Sequence, residues 1–183
     1  MKIKTNSLSV KDIEEYANQI RKYFKIKENA YFPILEVLEE LDSLNLLKLV
    51  IVNDDFFVDE NVLACYELES KSIVVKESVI NEYEAQEYRS AFTLAHEFFH
   101  FIQDSQGFSF EEVEDCPSYC ELEWQANEFA GQLLVPLKFV DKYSIEELAN
   151  MFHVSIDCAT IRKLYKVRRE NKKLKRENVS NSV

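Results

Sequence analysis

The spacing of apolar residues divides this chain into helical and extended stretches. Ile13, Tyr16, Ala17, Ile20 and Phe24 recur at intervals of three and four, which predicts an amphipathic helix over 9–25 with Ser9 as its cap. A second helix is expected from about Pro33 to Leu41, with the proline in the first turn where its missing N–H costs nothing. The run from Leu46 to Val52 ends in β-branched residues and reads as a strand, broken by Asn53-Asp54-Asp55. Residues 62–68 and 72–79 flank Glu69-Ser70-Lys71 and read as a hairpin, so that three strands make a small sheet.

Helical spacing then dominates. Asn81 and Glu84 stand as an N-cap and its third helical residue, followed by Tyr88, Phe92, Ala95, Phe99 and Ile102 on one face. No Gly or Pro interrupts 81–106, which predicts one continuous helix, with Gly107 as its stop. Residues 103–119 are polar and irregular, a loop expected to border a cleft. Leu122, Ala126, Phe129, Ala130 and Leu133 predict a helix over 120–135, ended by Pro136. Its alanines and Gly131 suit close packing against a neighbour. Ser144-Ile145-Glu146-Glu147 is a capping box for a short helix to about Phe152. His153-Val154-Ser155 then forms a turn, and a longer helix follows it. Helix, turn and capped helix have the outline of a helix-turn-helix.

Composition narrows the class. The 183 residues are 46% hydrophobic with 13 Phe, enough for a core, while 2 Gly and 3 Pro disfavour a turn-rich β-sandwich. No apolar run approaches the ~20 residues a membrane helix needs, and the N-terminus lacks the apolar stretch of a secretory signal. A cytoplasmic protein without membrane attachment is the expectation. Cys65, Cys116, Cys120 and Cys158 do not form a close-spaced disulfide framework, and no C-x-x-C pair marks a separate structural zinc site, so Cys116 and Cys120 read as ordinary loop thiols. The net charge is −11, yet the stretch from Arg162 to Glu177 holds nine basic and two acidic residues, leaving −18 for the rest. An acidic body argues against general nucleic-acid binding and suits a basic protein partner.

The chemistry concentrates at His96, Glu97 and His100, an H-E-x-x-H. On a helix, positions i and i+4 share a face, so both imidazoles can grip one metal ion, and Glu97 flanks them where a general base would stand. A catalytic zinc wants a third protein ligand and an open position. Glu123, on the return helix, is the candidate. Glu121 points roughly 200° away on a helix of about 3.6 residues per turn, and Gln125 is neutral. His153 and Tyr119 are candidate oxyanion partners by residue type only, with His153 read as a turn residue and Trp124 as core.

Two motifs together carry a family resemblance. Phe92-Thr93-Leu94-Ala95-His96-Glu97-x-x-His100 and Glu123-x-x-Ala126-Asn127-x-Phe129-Ala130-x-x-Leu133-Leu134-x-Pro136 resemble the ImmA/IrrE family of metallopeptidases, and Glu147-Leu148-Ala149-x-x-Phe152-x-Val154-Ser155 is similar to the family's trailing helical segment. The match covers roughly 46–165. It implies an α+β fold: a small zincin-like domain with a short sheet and an active-site helix pair, here 1–142, then a helix-turn-helix-like segment with a basic tail, 143–183. It implies a zinc-dependent endopeptidase with His96, His100 and Glu123 as Zn2+ ligands and Glu97 as the catalytic base, acting on a protein substrate that is a helix-turn-helix repressor. The chain departs from the family pattern at Phe99, where a glycine is common, and local rearrangement is expected there. At Ala91 an arginine is common.

Other functions remain open at this level. A zinc-fold regulator or antitoxin-like protein could act by docking a repressor or toxin, although such a binder has no need of Glu97 as a base. The C-terminal segment leaves direct DNA binding as a third reading. In the tail, Leu164, Val167, Asn171 and Leu174 follow a and d spacing. Against the simpler reading of a solvated helix extension, that spacing proposes weak, salt-sensitive self-association of an otherwise monomeric chain. A sheet edge beside the metal would hold an extended peptide by strand addition.

Overall fold

A computed structural model describes residues 1–86 and 89–167. The fold is α+β. Three strands form the main sheet: β2 (Lys48–Val52), β3 (Ala64–Glu67) and β4 (Ser72–Lys76), in the order β2-β4-β3. β3 and β4 are the expected hairpin, paired antiparallel from Ala64↔Val75 to Glu67↔Ser72, while β2 runs parallel to β4. Central β4 is buried along its whole length, as a strand covered on both faces must be, and even Lys76 is only 5% exposed, its Nζ donating to the Glu60 carbonyl at 2.9 Å.

Helices α1 (Val10–Tyr23) and α2 (Ile34–Ser43) form as their periodicity predicts. Ser9 and Asp12 cap α1 reciprocally, satisfying two backbone N–H groups that would otherwise lack partners.

Two expectations fail next. Residues 77–79 do not continue a strand: α3 (Glu77–Glu84) begins directly after β4. Nor is 81–106 one helix, and Asn81 lies inside α3 rather than capping a helix start. The chain breaks after Glu84, with Gln86 at φ +62°, and α4 (Arg89–Ser105) resumes. Nothing in composition announced the break, because a left-handed residue here is a glutamine rather than a glycine. Gly107 does end α4 at φ +71°, its N–H bonding the Asp104 carbonyl and that of Phe108 bonding Gln103.

The loop expected over 103–119 is partly ordered. The first residues, β1 (Lys2–Lys4), pair antiparallel with β5 (Glu111–Val113), and Thr5 and Leu8 donate backbone bonds to Cys120 and Tyr119. Lys2 Nζ lies 3.0 Å from both Asp115 and Glu121, and Lys4 lies 3.5 Å from Glu111. Strands of three residues are too short to carry a period, so this fastening was invisible in the pattern.

Helix α5 (Leu122–Leu134) lies against α4 and α1, with Ala126, Phe129, Ala130 and Leu133 inaccessible to solvent. Phe99 is buried here: it stacks on Phe129 at 4.3 Å and meets Tyr16 of α1 edge-on at 6.3 Å. The carbonyls at the end of α5 are met by two buried arginines, Arg21 Nη1 donating to Leu133 at 2.6 Å and Arg162 Nε to Val135 at 3.2 Å.

Helix α6 (Ile145–Phe152) starts on the predicted Ser144–Glu147 capping box and ends at His153, left-handed at φ 50°. Ser155 then caps α7, helical over 156–167, through a 3.1 Å bond from the Cys158 N–H. Leu148, Phe152, Val154 and Ala159 join the same hydrophobic cluster as the sheet and the α4–α5 pair. Of the zipper-like positions, Leu164 and Val167 are exposed, and Asn171 and Leu174 lie outside the described residues. Among the described residues no helix is long and apolar enough to cross a membrane.

Phe99→Ala would remove a buried ring shared by α1, α4 and α5. A loss of about 3–5 kcal/mol in folding stability is expected, measured by urea unfolding, with a smaller loss for Phe99→Leu.

Candidate metal centre

Helix α4 carries His96 and His100 one turn apart, on the side that faces α5. Their Nε2 atoms point at each other across 3.1 Å. Glu123, in the first turn of α5, reaches the same point: its Oε2 is 3.1 Å from His96 Nε2 and its Oε1 is 3.7 Å from His100 Nε2. Ligand atoms of His96, Glu97 and His100 also lie within 4.8 Å of one another, the one such donor group among the described residues.

The donor set fits a tetrahedral zinc. Bond lengths of about 2.0–2.2 Å place tetrahedral ligand atoms roughly 3.3–3.6 Å apart, close to the three spacings found. Glu123 is 60% exposed, so the cluster opens toward solvent on that side, while both imidazoles are largely covered.

The neighbours explain why Glu123 is the carboxylate that arrives. Glu121 turns away to Lys2, and Gln125 is fully buried, accepting from Gln103 Nε2 and donating to the carbonyls of Asn6 and Tyr119, all at 2.8 Å. The far sides of the imidazoles are also engaged, a feature absent from the sequence reading. Asn127 Oδ1 sits 3.1 Å from His96 Nδ1, and Gln103 Oε1 sits 3.4 Å from His100 Nδ1. Asn127 follows Glu123 by four positions, the same spacing that pairs the histidines, so helical spacing alone could have found it. Such outer partners fix the tautomer and the ring orientation of a ligating histidine.

Glu97 differs from Glu123. It is 8% exposed, on the side of α4 toward β3, and its carboxylate accepts the backbone N–H of Tyr66. Burial pushes its pKa up to about 7, against the pull of His96 and with a further push from Glu123. Burial and the adjacent His96 take His100 down to about 4. For His96 burial works downward too, but hydrogen bonding to Glu123 and the charge of Glu97 outweigh it and raise its pKa above 6.5. The hydrogen bond from His96 lowers that of Glu123. The cluster therefore pairs an ionised carboxylate with two imidazoles of unequal basicity, beside a carboxyl poised near neutrality.

The profile of the IrrE N-terminal-like domain family, peptidase M78, matches residues 66–163, which contain every residue of this cluster. The chain belongs to this family. Membership makes it a metallopeptidase-family protein. No curated protein matches the chain. Among solved structures, a Mycobacterium tuberculosis transcriptional regulator is similar at a TM-score of 0.55 and 14% identity, covering 82% of this chain and 55% of that one. The chain thus spans about half the length of that regulator, and the likeness concerns the fold.

The remaining candidates fall elsewhere. His153 stacks on Tyr31 at 4.3 Å, in a separate cavity of about 380 Å³ that none of the cluster residues lines. Tyr119 is 51% exposed beside the N-terminal strand and contributes its carbonyl to Leu8 and Gln125. Cys116 and Cys120 are free thiols outside the donor group. Trp124, read as core, is half-buried and also lines a cavity beside the cluster.

Two outcomes test the centre. Asn127→Ala should weaken metal binding about ten- to a hundredfold without unfolding the chain, as read by competition with a chromophoric chelator. Metal must displace the proton on His96, whose pKa is raised. Affinity should therefore be full in mild alkali and fall as the pH drops, the fall beginning above 6.5.

Proposed function

We propose that the protein is a zinc-dependent endopeptidase in which His96, His100 and Glu123 hold the metal and Glu97 is the general base. The observation that carries this reading is the meeting of Glu123 with both imidazoles, next to a buried carboxyl whose pKa is near 7. Bound there, zinc supplies Lewis acidity, polarising a carbonyl oxygen and bringing the pKa of a coordinated water down toward ~7. Glu97 takes a proton from the attacking water and returns it to the leaving amine. Its backbone bond from Tyr66 holds the carboxylate in place. A pure docking protein has no use for a carboxyl kept at such a cost in desolvation, which favours catalysis over the regulator or antitoxin-like alternative. The substrate expected from the family resemblance is a helix-turn-helix repressor.

The sheet offers a way to hold that substrate. The Lys76 N–H bonds the Leu63 carbonyl at 3.0 Å, so residues 63, 65 and 67 face β4, while residues 64 and 66 turn their backbone groups outward. β3 is an edge strand packed beside α4, and an extended peptide can pair with the outward groups that remain there, the Ala64 N–H and the Ala64 and Tyr66 carbonyls, since Glu97 takes the Tyr66 N–H.

Incubating the zinc-loaded protein with helix-turn-helix repressors encoded near it should yield a discrete cleavage. Glu97→Gln should retain about one zinc per chain yet lower the rate by roughly 10²–10⁴, because an amide cannot accept the proton. An unchanged rate on a verified substrate would remove Glu97 from the mechanism. Ala64→Pro deletes an outward N–H without touching the β4 ladder. It should raise KM at normal zinc content, measured on the same substrate.

A further inference from the structure

Two buried amides join His100 to the segment around β1. Gln103 and Gln125 are both inaccessible to solvent, so their polar ends can be satisfied only by the protein. Gln125 Nε2 lies 2.8 Å from the carbonyl oxygens of Asn6 and of Tyr119. A backbone carbonyl only accepts, so both hydrogens of that amide are used there and the end facing Gln103 must be oxygen. Gln103 has to turn its own Nε2 to it, at 2.8 Å, which leaves Gln103 Oε1 toward His100 Nδ1 at 3.4 Å. That oxygen, too, only accepts. The imidazole must therefore carry its proton on Nδ1, and Nε2, the atom that meets His96 and Glu123, keeps its lone pair for a metal. A free histidine prefers the opposite tautomer, so the surroundings impose this one. Neither amide can be reversed: turning Gln125 sets its oxygen against two carbonyls, and turning Gln103 sets oxygen against oxygen.

The far end of this relay has fastenings of its own. Thr5 donates its N–H to Cys120 at 2.8 Å and Leu8 to Tyr119 at 2.9 Å, while the Asn6 side chain accepts the N–H and hydroxyl of Ser109 at 2.9 and 3.0 Å. Lys4 also pairs with Glu121, two residues before Glu123. Residues 2–8 lie outside the stretch 66–163 that matches the family profile, whereas Gln103, Tyr119 and Gln125 lie inside it.

We propose that residues 2–8 are a positioning part of the metal centre: when they are docked, the Asn6 carbonyl, together with that of Tyr119, orients the Gln125 and Gln103 amides so that His100 presents Nε2 to the metal. Metal affinity and docking of the segment are then one coupling, and each favours the other by the same factor. The proposal rests on the assignment of His100 as a ligand and not on peptide cleavage.

Long-range proton–nitrogen spectra of the metal-free full chain in mild alkali should show His100 protonated at Nδ1, and a proton on Nε2 would overturn the relay. Adding zinc should slow amide exchange at Thr5 and Leu8 about ten- to a hundredfold, the range over which an outer partner changes metal affinity. Exchange that zinc leaves unchanged would overturn the coupling. Gln103→Met cuts the relay but keeps the backbone bonds of the segment. It should move His100 toward the Nε2–H tautomer and remove most of the zinc-dependent slowing. Full slowing in that variant would assign the coupling to contacts around Glu123 and overturn the relay. Should the variant fail to fold, the two measurements on the unaltered chain decide. With all three results as expected and no peptide cleaved, only the peptidase reading would fall. A chain that binds no zinc would remove the metal centre and this proposal with it.

Discussion

One approach governs this molecule: two helices must come close enough for a carboxylate on one to reach two imidazoles on the other. The ring of Phe99 lies flat on Phe129, and Ala95, Ala126 and Ala130 are wholly buried, so small side chains and a stacked pair set the spacing. Packing of this kind does not deform continuously. The donor atoms of His96, His100 and Glu123 consequently stand 3.1–3.7 Å apart because of apolar contacts that carry no chemistry themselves. The polar groups then divide the work by burial: Glu123 remains open to solvent, and Glu97 is enclosed and held by a backbone N–H.

Much of this was legible in the chain. The histidine pair, the return helix and the choice of Glu123 over Glu121 follow from angular spacing on a helix, the setting aside of Gln125 from its neutral amide, and the capping boxes at Ser9 and Ser144 from residue types at fixed offsets, all of which depend on local sequence alone. What escaped was non-local or atypical. The break at Gln86 takes a left-handed conformation without a glycine. Residues 77–79 have apolar and polar positions that satisfy a strand as readily as a helix, and the turn into α3 is decided by the end of the sheet. The engagement of Asn127 was within reach of the same helical geometry, while the Gln103–Gln125 link needed knowledge of how the two helices pair.

Phe99 shows how a departure from a family's pattern is absorbed. A large ring next to a proposed ligand would be expected to disturb it, yet the ring packs between Tyr16 of α1 and Phe129 of α5, and the His96 and His100 Nε2 atoms still meet at 3.1 Å. The added volume becomes core. His100, the next residue, projects about 100° round the helix from the ring, and His96, three positions earlier, lies about one turn away along it.

The strand at the beginning of the chain has a consequence for the order of folding. Lys2 and Lys4 reach acidic partners more than a hundred residues away: Glu111 is separated by 107 positions from Lys4, and Glu121 by 119 from Lys2. Closing so long a loop is entropically slow until the intervening chain has condensed. The segment that introduces α5, and with it Glu123, is therefore latched only after the helices and sheet have assembled. The opening residues of the chain are among the last to find their partners.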